Sequence, residues 1–518
     1  MTRVRRLTPF LLLLGYFTLM TIAARTFHLV DIGSWDEALY ISRGAFFEDL
    51  RGDWGPAYSL YYSLFLQFFS DPVHVFDGAR YVLLFCLFPC GLFVFTRNLT
   101  GNFILALLTA ALIPTLPIIV RMDPGIQLYN LTVWLFILGS LFAVPRYPIV
   151  GLLISAVMGI LPFIRQDNTL YIAGTTAALF VLYQKTYSRR EQPIALFSVV
   201  LLSVLFGFGS FVLCCRFLGD SPFTEDRALH AFCDHYYWNH LSMFPRHATL
   251  ERADYVLEHF GSPKNMTELI LKNIKELIPY FWSRFAEFFK SFGTSSRGYV
   301  ITAIPFLAIF GAHELDRTKK ILLAILAFTL AKSLMVSVLM APKANYYLEF
   351  FVFVLVTAFW AAWLVVQSDK LLQGVLVATV LLAVGWNIQN GKSDLRYQFR
   401  QHIHDLRDLL ASEGISPNQN IFGTGPVITF VGFNINSRQI YHYRWAKRDF
   451  SLPNYLDALK IDAVVEATDF RNNVEEAGFI IPYENFETSY GKLGFRKVSL
   501  GFYKDRIYVR KEPFQAPK

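Results

Sequence analysis

Long apolar runs recur along the first three quarters of the chain, with short polar loops between them. A run of roughly 17–25 apolar residues is long enough to cross the hydrocarbon core of a membrane as a helix. The first run, from Leu7 to Ala24, is longer than a usual signal-peptide core and is interpreted as a retained span. The pattern predicts about eleven transmembrane helices, near 7–27, 78–96, 102–120, 127–144, 147–164, 168–184, 194–217, 298–313, 320–340, 346–366 and 370–388.

Composition agrees with this pattern. Of the 518 residues, 54% are hydrophobic and only 17% are charged, and the mean hydropathy is +0.37. Soluble domains have about a quarter of their residues charged, so this balance is typical of a polytopic membrane protein. The net charge of +8 is spread along the chain and forms no basic stripe with interleaved aromatic residues, so nucleic acid is not an expected partner.

The positions of the basic residues predict the orientation. Cytoplasmic loops carry an excess of Lys and Arg. Arg3, Arg5 and Arg6 place the N-terminus in the cytoplasm, and counting spans onward leaves the basic clusters 185–190 and 317–320 on the same side. The loops with Asp36, Arg121–Asp123, Arg165–Asp167 and Lys343 then face the other side, together with everything after about Asn387.

Three segments are not predicted to span. The first outer loop, 28–77, contains an amphipathic run, Tyr58–Phe69, that is expected to lie along the membrane surface. The loop 218–297 has helical periodicity, with Leu269, Ile270, Ile274 and Leu277 on one face. The tail alternates strand-like runs, such as Asp462–Glu466 and Arg506–Val509, with helical ones, such as His404–Ser412. The sequence therefore predicts a transmembrane domain over 1–388 and an extracytoplasmic α/β domain over 389–518.

Metal and disulfide chemistry have little support in the sequence. The five cysteines, Cys86, Cys90, Cys214, Cys215 and Cys233, form no disulfide framework and are interpreted as small apolar fillers. Gly423-Thr424-Gly425 lacks the Lys of a phosphate loop and is interpreted as a turn. The loop histidines match no tight ligand spacing with Asp234, so no cofactor is predicted, and a divalent cation stays open as the alternative. These histidines are His230, His235, His240, His247 and His259.

The first candidate for chemistry is the run Trp35-Asp36-Glu37-Ala38-Leu39-Tyr40, directly after the first span. Two adjacent carboxylates usually form a solvated acidic turn. Here they lie near the outer membrane surface in an aromatic-rich loop, where partial desolvation would raise the pKa of a carboxyl group toward that of a useful base.

Several further runs share a family pattern with this one. An Asp-Glu pair followed by Tyr after a first span resembles the first outer loop of the C-type glycosyltransferases, and the chain is most similar to the protein O-mannosyltransferases and lipid A aminoarabinose transferases. Ala57 departs from the Pro or Leu that these families often have. The other runs that carry the resemblance are Gly55–Tyr62, Asp77–Arg80, Arg121–Asp123 and Pro342–Tyr347. Within them, Tyr58 and Arg121 are candidate substrate-binding residues.

The resemblance implies a C-type glycosyltransferase fold and an inverting transfer from a polyprenyl-phosphate sugar to an acceptor protein, glycolipid or polysaccharide. It implies Asp36 as the catalytic base, supported by Glu37, and it implies a phosphate contact for Lys343, which enters a late span with Tyr346. A base removes the proton of the acceptor, and cations stabilise the departing phosphate. Metal is not clearly required by the transferases that use monophosphate donors.

The remaining candidates have alternatives. Asp123, beside Arg121, either orients the acceptor or sugar or caps a helix. Arg165 and Asp167 either form an interfacial ion pair or bind substrate, with Arg165 as the contact to the phosphate. Arg80 is expected to pair with a loop carboxylate, and Lys332, inside a span, either binds substrate, snorkels or pairs with Glu349.

Two other functions share these features. A transporter or flippase of lipid-linked sugars would also need many spans and phosphate-binding cations, but transporters tend to have symmetric halves with sites at the midplane. A non-catalytic partner of the same fold is the second alternative. The intact Asp36-Glu37 pair and the gathering of ionisable groups at one face favour an enzyme. A bacterial inner membrane is the preferred location because the loops are compact.

Overall fold

The computed structural model describes most of the helical region and parts of the C-terminal region. The described residues are 2–26, 30–32, 35–46, 56–122, 125–141, parts of 153–168 and of 201–216, 227–240, 242–244, 252–295, 317–340, 343, 346–394, 398–415, 419–423, 430, 456–457, 460–466, 490–499 and 506–511. The predicted span 298–313 lies outside them, as does 168–184 apart from Asn168, and the predicted spans 147–164 and 194–217 are described in part.

Helices dominate the described residues. The α-helices are α1 (Thr2–Thr26), α2 (Trp35–Phe46), α3 (Pro56–Leu66), α4 (Pro72–Val82), α5 (Phe88–Thr100), α6 (Phe103–Leu112), α7 (Pro117–Val120), α8 (Ile126–Leu141), α9 (Arg227–Asn239), α10 (Arg252–His259), α11 (Met266–Ser295), α12 (Arg317–Leu339), α13 (Leu348–Val366), α14 (Lys370–Asp394) and α15 (Gln398–Ser412). Short 3₁₀ turns occupy Ile113–Thr115 and Leu161–Phe163, and a π-helical turn, Leu83–Leu87, joins α4 to α5.

Five described stretches are long and apolar enough to cross a membrane by length and composition. They are Pro9–Thr26, Pro72–Thr100, Lys319–Leu339, Leu348–Val366 and Lys370–Asn390. Four of them match predicted spans closely, and the fifth begins earlier than the predicted 78–96. The reason is local, because Asp71 accepts a hydrogen bond from the Val73 amide at 2.8 Å and Pro72 occupies the first turn, which starts the helix there.

The prediction of one continuous helix over 102–120 is wrong. α6 ends at Leu112, a 3₁₀ turn follows, and Leu116 is extended (ψ 136°) before α7 begins. Pro114 and Pro117 explain the break, because neither has an amide proton for a helical hydrogen bond and each disfavours helical geometry in the residue before it. α8, at Ile126–Leu141, is apolar and begins one residue before the predicted 127–144, of which residues 142–144 lie outside the described part of the chain.

The buried centre of the bundle is the packing of α5 against α6 and α8. At Gly139 of α8 a Cβ atom would lie 2.9 Å from the Phe95 amide nitrogen, so glycine is what allows the two backbones to approach. The Asn98 side chain on α5 donates to the Gly139 carbonyl at 2.9 Å across this contact. The helices that carry the candidate site therefore stand on a tightly packed base.

The loop between the predicted seventh and eighth spans is helical, as expected. α9, α10 and α11 share a small core in which Phe232, Cys233 and Val256 are buried. Leu269 and Leu277 are buried as predicted, whereas Ile274 is 47% exposed. The helix is kinked at Asn273 (φ −118°, ψ 23°), directly before Ile274, and the kink changes which face the following residues present.

The C-terminal region forms a four-stranded sheet of order β1-β2-β4-β3, with β1 (Asn420–Gly423), β2 (Ile461–Glu466), β3 (Phe495–Ser499) and β4 (Arg506–Arg510). β1 pairs parallel with β2, and the other pairs are antiparallel. The strands predicted at 462–466 and 506–509 and the helix predicted at 404–412 are confirmed. Of the predicted Gly423-Thr424-Gly425 turn, Gly423 ends β1 and the other two residues lie outside the described ones.

Candidate functional site

Helix α2 carries the Asp36-Glu37 pair. The Glu37 side chain is 1% exposed, and the side chain of Asp36 lies outside the described part of the chain. Tyr58 donates to the Glu37 carboxylate at 3.1 Å, and Tyr62 and the Gly125 amide donate to it as well. Tyr58 and Tyr62 lie one helical turn apart on α3, so both hydroxyls face the same carboxylate.

Arg80 on α4 provides the cation of this group. Its guanidinium lies 3.9 Å from a Glu37 carboxylate oxygen, it donates a hydrogen bond to the Met122 carbonyl, and its side chain is 3% exposed. The expectation that Arg80 pairs with a loop carboxylate is therefore confirmed. A buried charge is stable only where it is paired and hydrogen-bonded, and Glu37 has both kinds of partner.

Gly125 immediately precedes α8, and its amide points at Glu37. The N-terminus of a helix attracts negative charge, so this contact favours the ionised carboxylate. A Cβ atom at position 125 would meet the side chains of Arg80, Tyr58 and Glu37, which leaves glycine as the residue that fits. We call Glu37, Tyr58, Tyr62, Arg80 and Gly125 the Glu37 cluster. Through these hydrogen bonds and this ion pair, the Glu37 side chain connects α2 to α3, to α4 and to the start of α8.

A second buried network surrounds Glu349, in the first turn of α13. Lys332 of α12 donates to both Glu349 carboxylate oxygens, at 3.1 and 3.0 Å. The side-chain amide of Asn130 donates to one of these oxygens at 3.0 Å. The Asn168 amide donates to the Asn130 side-chain oxygen at 2.7 Å. The pairing of Lys332 with Glu349, one of the three interpretations, is therefore the observed one.

The two groups are joined by α8. Gly125 and Asn130 are five residues apart, which corresponds to about 7.5 Å along a helix axis. Tyr129, beside Asn130, packs its ring 5.4 Å from that of Tyr58. The first turns of α8 thus contact two buried carboxylates that come from distant parts of the chain.

Of the predicted substrate-binding residues, Tyr58 belongs to the Glu37 cluster itself, and Arg121 and Arg165 lie at the edges of the two groups. Arg121 is exposed and precedes Met122, whose carbonyl accepts the bond from Arg80. Arg165 is half-buried, and its backbone carbonyl accepts a hydrogen bond from the backbone amide of Asn168 at 3.1 Å. Asp123 and Asp167 lie outside the described residues.

Lys343 is exposed in the turn before α13, and its carbonyl accepts a hydrogen bond from the Tyr346 amide at 3.0 Å. Tyr347, fully buried, donates to the Ser291 carbonyl of α11 at 3.2 Å. The turn that presents Lys343 is thus fixed to α11 through Tyr347 and to α12 through Glu349.

His235, one of the loop histidines, lies within the electrostatic reach of two cations, Lys343 and Arg284. Burial, followed by the nearby charges of Lys343 and Arg284, lowers the pKa of His235 to about 4. Arg284 packs over the Tyr280 ring at 5.2 Å, and the Tyr280 hydroxyl donates to the Met340 carbonyl at 3.4 Å. No local spacing relates His235, Arg284 and Lys343, because they come from α9, α11 and the turn after α12.

The loop histidines make local contacts. His259 lies 2.7 Å from a Glu276 oxygen, and the His240 ring stacks on Tyr236 with centroids 4.1 Å apart. Within the described residues, no group of three or more His, Cys, Asp or Glu side chains is placed to hold a metal ion. His247 lies outside those residues.

Comparison with solved structures gives a likeness at low sequence identity. No protein-family model and no curated protein sequence matches the chain. Among solved structures, the archaeal oligosaccharyltransferase AglB from Archaeoglobus fulgidus, in complex with an inhibitory peptide and a dolichol-phosphate, matches 94% of this chain and 72% of its own length. The sequence identity is 11% and the TM-score is 0.38.

Proposed function

We propose that this chain is an integral membrane glycosyltransferase of the C-type fold. It transfers a single sugar from a polyprenyl-phosphate donor to a protein, glycolipid or polysaccharide acceptor on the extracytoplasmic face of the membrane. In this proposal the N-terminus is cytoplasmic, residues 1–388 form the transferase domain, and residues 389–518 form an extracytoplasmic domain.

The observation that carries the proposal is the Glu37 cluster. A catalytic group must be held close to its productive geometry by its supporting residues. Glu37 receives hydrogen bonds from α3 and from the start of α8 and faces Arg80 on α4. The backbone of α2 beside Asp36 is therefore fixed to three other elements, which is the support that a positioned base requires.

The same contacts divide the roles of the two adjacent carboxylates. Glu37 accepts bonds from two tyrosine hydroxyls and one amide and is buried, so its oxygens are already engaged. Asp36 is accordingly proposed as the base and Glu37 as the residue that positions it. The acceptor atom gives its proton to Asp36 and forms a bond to the anomeric carbon, while the bond from that carbon to the phosphate oxygen breaks and the polyprenyl phosphate leaves. Attack opposite the phosphate inverts the anomeric centre.

Cations near the outer loops would stabilise the departing phosphate. Lys343 is exposed on a turn that Tyr347 and Glu349 hold in place. The charges of Lys343 and Arg284 both lower the pKa of His235. Because the pKa of His235 is about 4, its imidazole is neutral at physiological pH and can donate a hydrogen bond to a phosphate oxygen without adding positive charge. Charge-assisted contacts from lysine and arginine are the stronger ones to phosphate oxygens.

Sugar release from radiolabelled polyprenyl-phosphate hexoses tests the proposal, with purified protein and a membrane extract as the source of acceptor. Asp36→Asn is expected to lower turnover by about 10²–10⁴-fold, the usual contribution of a general base. Asp408→Asn is the matched control, because Asp408 is an exposed carboxylate on α15. Equal turnover by wild type and Asp36→Asn would refute the role of Asp36.

One observation favours the alternative of a transporter of lipid-linked sugars. Buried ionisable pairs within apolar helices are frequent on transport pathways, and Lys332 and Glu349 form such a pair. The same assay distinguishes the two functions. A transporter binds the labelled lipid, moves it between the leaflets of proteoliposomes and releases no sugar, and Asp36→Asn then changes the flux only slightly.

A further inference from the structure

Helix α15 contacts the first outer loop and α4 through two arginines. Arg400 donates to both carboxylate oxygens of Asp77, at 2.5 and 3.0 Å. Arg407 donates to both oxygens of Asp71, each at 2.8 Å. The two arginines are seven residues apart, which is about two helical turns, so they share one face of α15. The helix lies antiparallel to α4, because the earlier arginine contacts the later aspartate.

Arg400 also holds the chain that leads into α2. Its guanidinium donates to the Val30 carbonyl at 3.2 Å, and its backbone amide donates to the Asp31 carboxylate at 3.0 Å. Trp35, where α2 begins, is only four residues beyond Asp31. Arg400 is 5% exposed and Asp77 is 3% exposed, so this contact is shielded from solvent.

Asp77 is also close to the Glu37 cluster along α4. Arg80 follows Asp77 by three residues, about 4.5 Å along the helix axis. Arg400 is thus connected to α2 in two ways, directly through residues 30–31 and indirectly through α4 and Arg80. α15 is itself connected to the rest of the C-terminal region, because Arg407 donates to the Phe430 carbonyl at 2.8 Å. The Phe430 ring in turn packs 5.8 Å from the ring of Phe76 on α4.

We propose that Arg400 is a positioning residue of the transfer site, through which the C-terminal region fixes the helix that carries Asp36 and Glu37. The catalytic part of this inference rests on the proposed function, whereas the mechanical part does not. With Arg400 in place, segment 30–31 and the first turns of α4 keep one geometry. Without it, Asp77 is left buried with its charge unpaired, and the outer loop rearranges to bring that carboxylate to water.

Hydrogen-exchange mass spectrometry on the full-length protein in detergent micelles tests the mechanical part. In Arg400→Gln, amide exchange in the peptide that covers α2 (35–46) is expected to quicken at least about tenfold, because an uncompensated buried charge favours local opening. Peptides from α5 and α11 are expected to keep wild-type rates. Arg496→Gln is the matched control, since Arg496 of β3 pairs with Glu413, the residue directly after α15, and is itself 46% exposed.

The double variant Arg400→Gln/Asp77→Asn identifies the contact responsible. Two neutral amides leave no buried charge, so most of the lost protection in α2 is expected to return. If Arg400→Gln unfolds the whole protein, the exchange of α2 is compared between the double variant and wild type instead. If α2 stays as exposed in the double variant as in the single one, Arg400 does not act through Asp77, and the proposal is overturned. It is likewise overturned if Arg400→Gln quickens exchange only in α15.

Kinetics test the catalytic part. In Arg400→Gln, kcat is expected to fall about tenfold or more while the KM for the donor changes less than about threefold, because misplacement of a catalytic group lowers turnover more than binding. A changed KM with an unchanged kcat would contradict positioning of the base. If the wild-type protein transfers no sugar, the proposed function fails, and the exchange experiment still decides whether the C-terminal region holds α2.

Discussion

Lys332 and Glu349 form a buried ion pair between α12 and α13, with both side chains about 5% exposed and nitrogen–oxygen distances of 3.0 and 3.1 Å. Asn130 brings α8 into the same contact. The pair therefore joins three helices close to the turn that presents Lys343. An ion pair in this position affects the stability of the bundle and the placement of that cation together.

Removal of one partner is expected to be more harmful than removal of both. Lys332→Met leaves Glu349 buried and unpaired, and should lower the free energy of unfolding by about 3–5 kcal/mol. Lys332→Met/Glu349→Gln leaves no buried charge and should recover much of that loss. Thermal unfolding of the purified proteins measures both effects. A single variant within about 1 kcal/mol of wild type would mean that the charge is relieved by solvent.

The tyrosine hydroxyls of the Glu37 cluster are expected to matter individually. Tyr62→Phe removes one donor to a buried carboxylate and should cost about 1–3 kcal/mol of stability, together with a loss of turnover because α2 is held less firmly. Tyr129→Phe is the control, because within the described part of the chain the Tyr129 side chain makes ring contacts, with Tyr58 and Tyr61. Thermal unfolding and sugar release are measured on each variant. Equal behaviour of the two variants would show that the hydroxyl at position 62 is not needed.

The sequence predicts many of the helices and strands. It does not predict the contacts of the candidate site, because the residues that meet there are far apart along the chain. Apolar runs predict the long helices, and alternation predicts β2 and β4, because these patterns are local. The hydrogen-bond partners of Glu37 are 21, 25 and 88 residues away, the first two on α3 and the third directly before α8. No local periodicity encodes such a contact, although the Tyr58 and Tyr62 spacing on α3 does predict that their side chains share a face.

The failures of local pattern have local causes. Hydropathy measures only how apolar a segment is, and 102–120 is apolar throughout, so it predicts one continuous helix there. It takes no account of the missing amide protons of Pro114 and Pro117, which interrupt the helix. The periodicity of 269–277 assumes a straight helix, whereas the kink at Asn273 places Ile274 on the exposed side. The two arginines of α15 show an ordinary seven-residue spacing, and only the packed structure supplies the aspartates that they bind.

Gly125 is expected to tolerate no side chain. In Gly125→Ala the new Cβ meets Arg80, Tyr58 and Glu37, with the Glu37 oxygen at 2.7 Å, so the cluster must separate. Overpacking of this kind costs about 1–3 kcal/mol, and the displaced Glu37 should lower turnover as well. Gly374→Ala on α14 is the matched control, since a Cβ there has nothing within 4 Å and alanine favours the helix. Stability and sugar release that survive Gly125→Ala unchanged would contradict the geometry of the cluster.

The pKa of His235 predicts a pH dependence with a definite sign. An unperturbed histidine has a pKa near 6.5 in the unfolded chain, and burial with Lys343 and Arg284 nearby lowers the pKa in the folded protein to about 4. Between these values the unfolded state binds more protons, so the contribution of His235 to stability is fully present above pH 6.5 and is lost as the pH falls toward 4.

His235→Gln removes this titration while keeping a polar side chain. The melting temperature of wild type is expected to fall more steeply than that of the variant between pH 6.5 and pH 4, and the two curves should run parallel above pH 7. Lys343→Gln should weaken the wild-type slope in the same interval, because the nearby charge of Lys343 is one cause of the lowered pKa. Parallel curves for wild type and His235→Gln across the whole interval would show that His235 titrates normally, and that Lys343 and Arg284 do not act on it together.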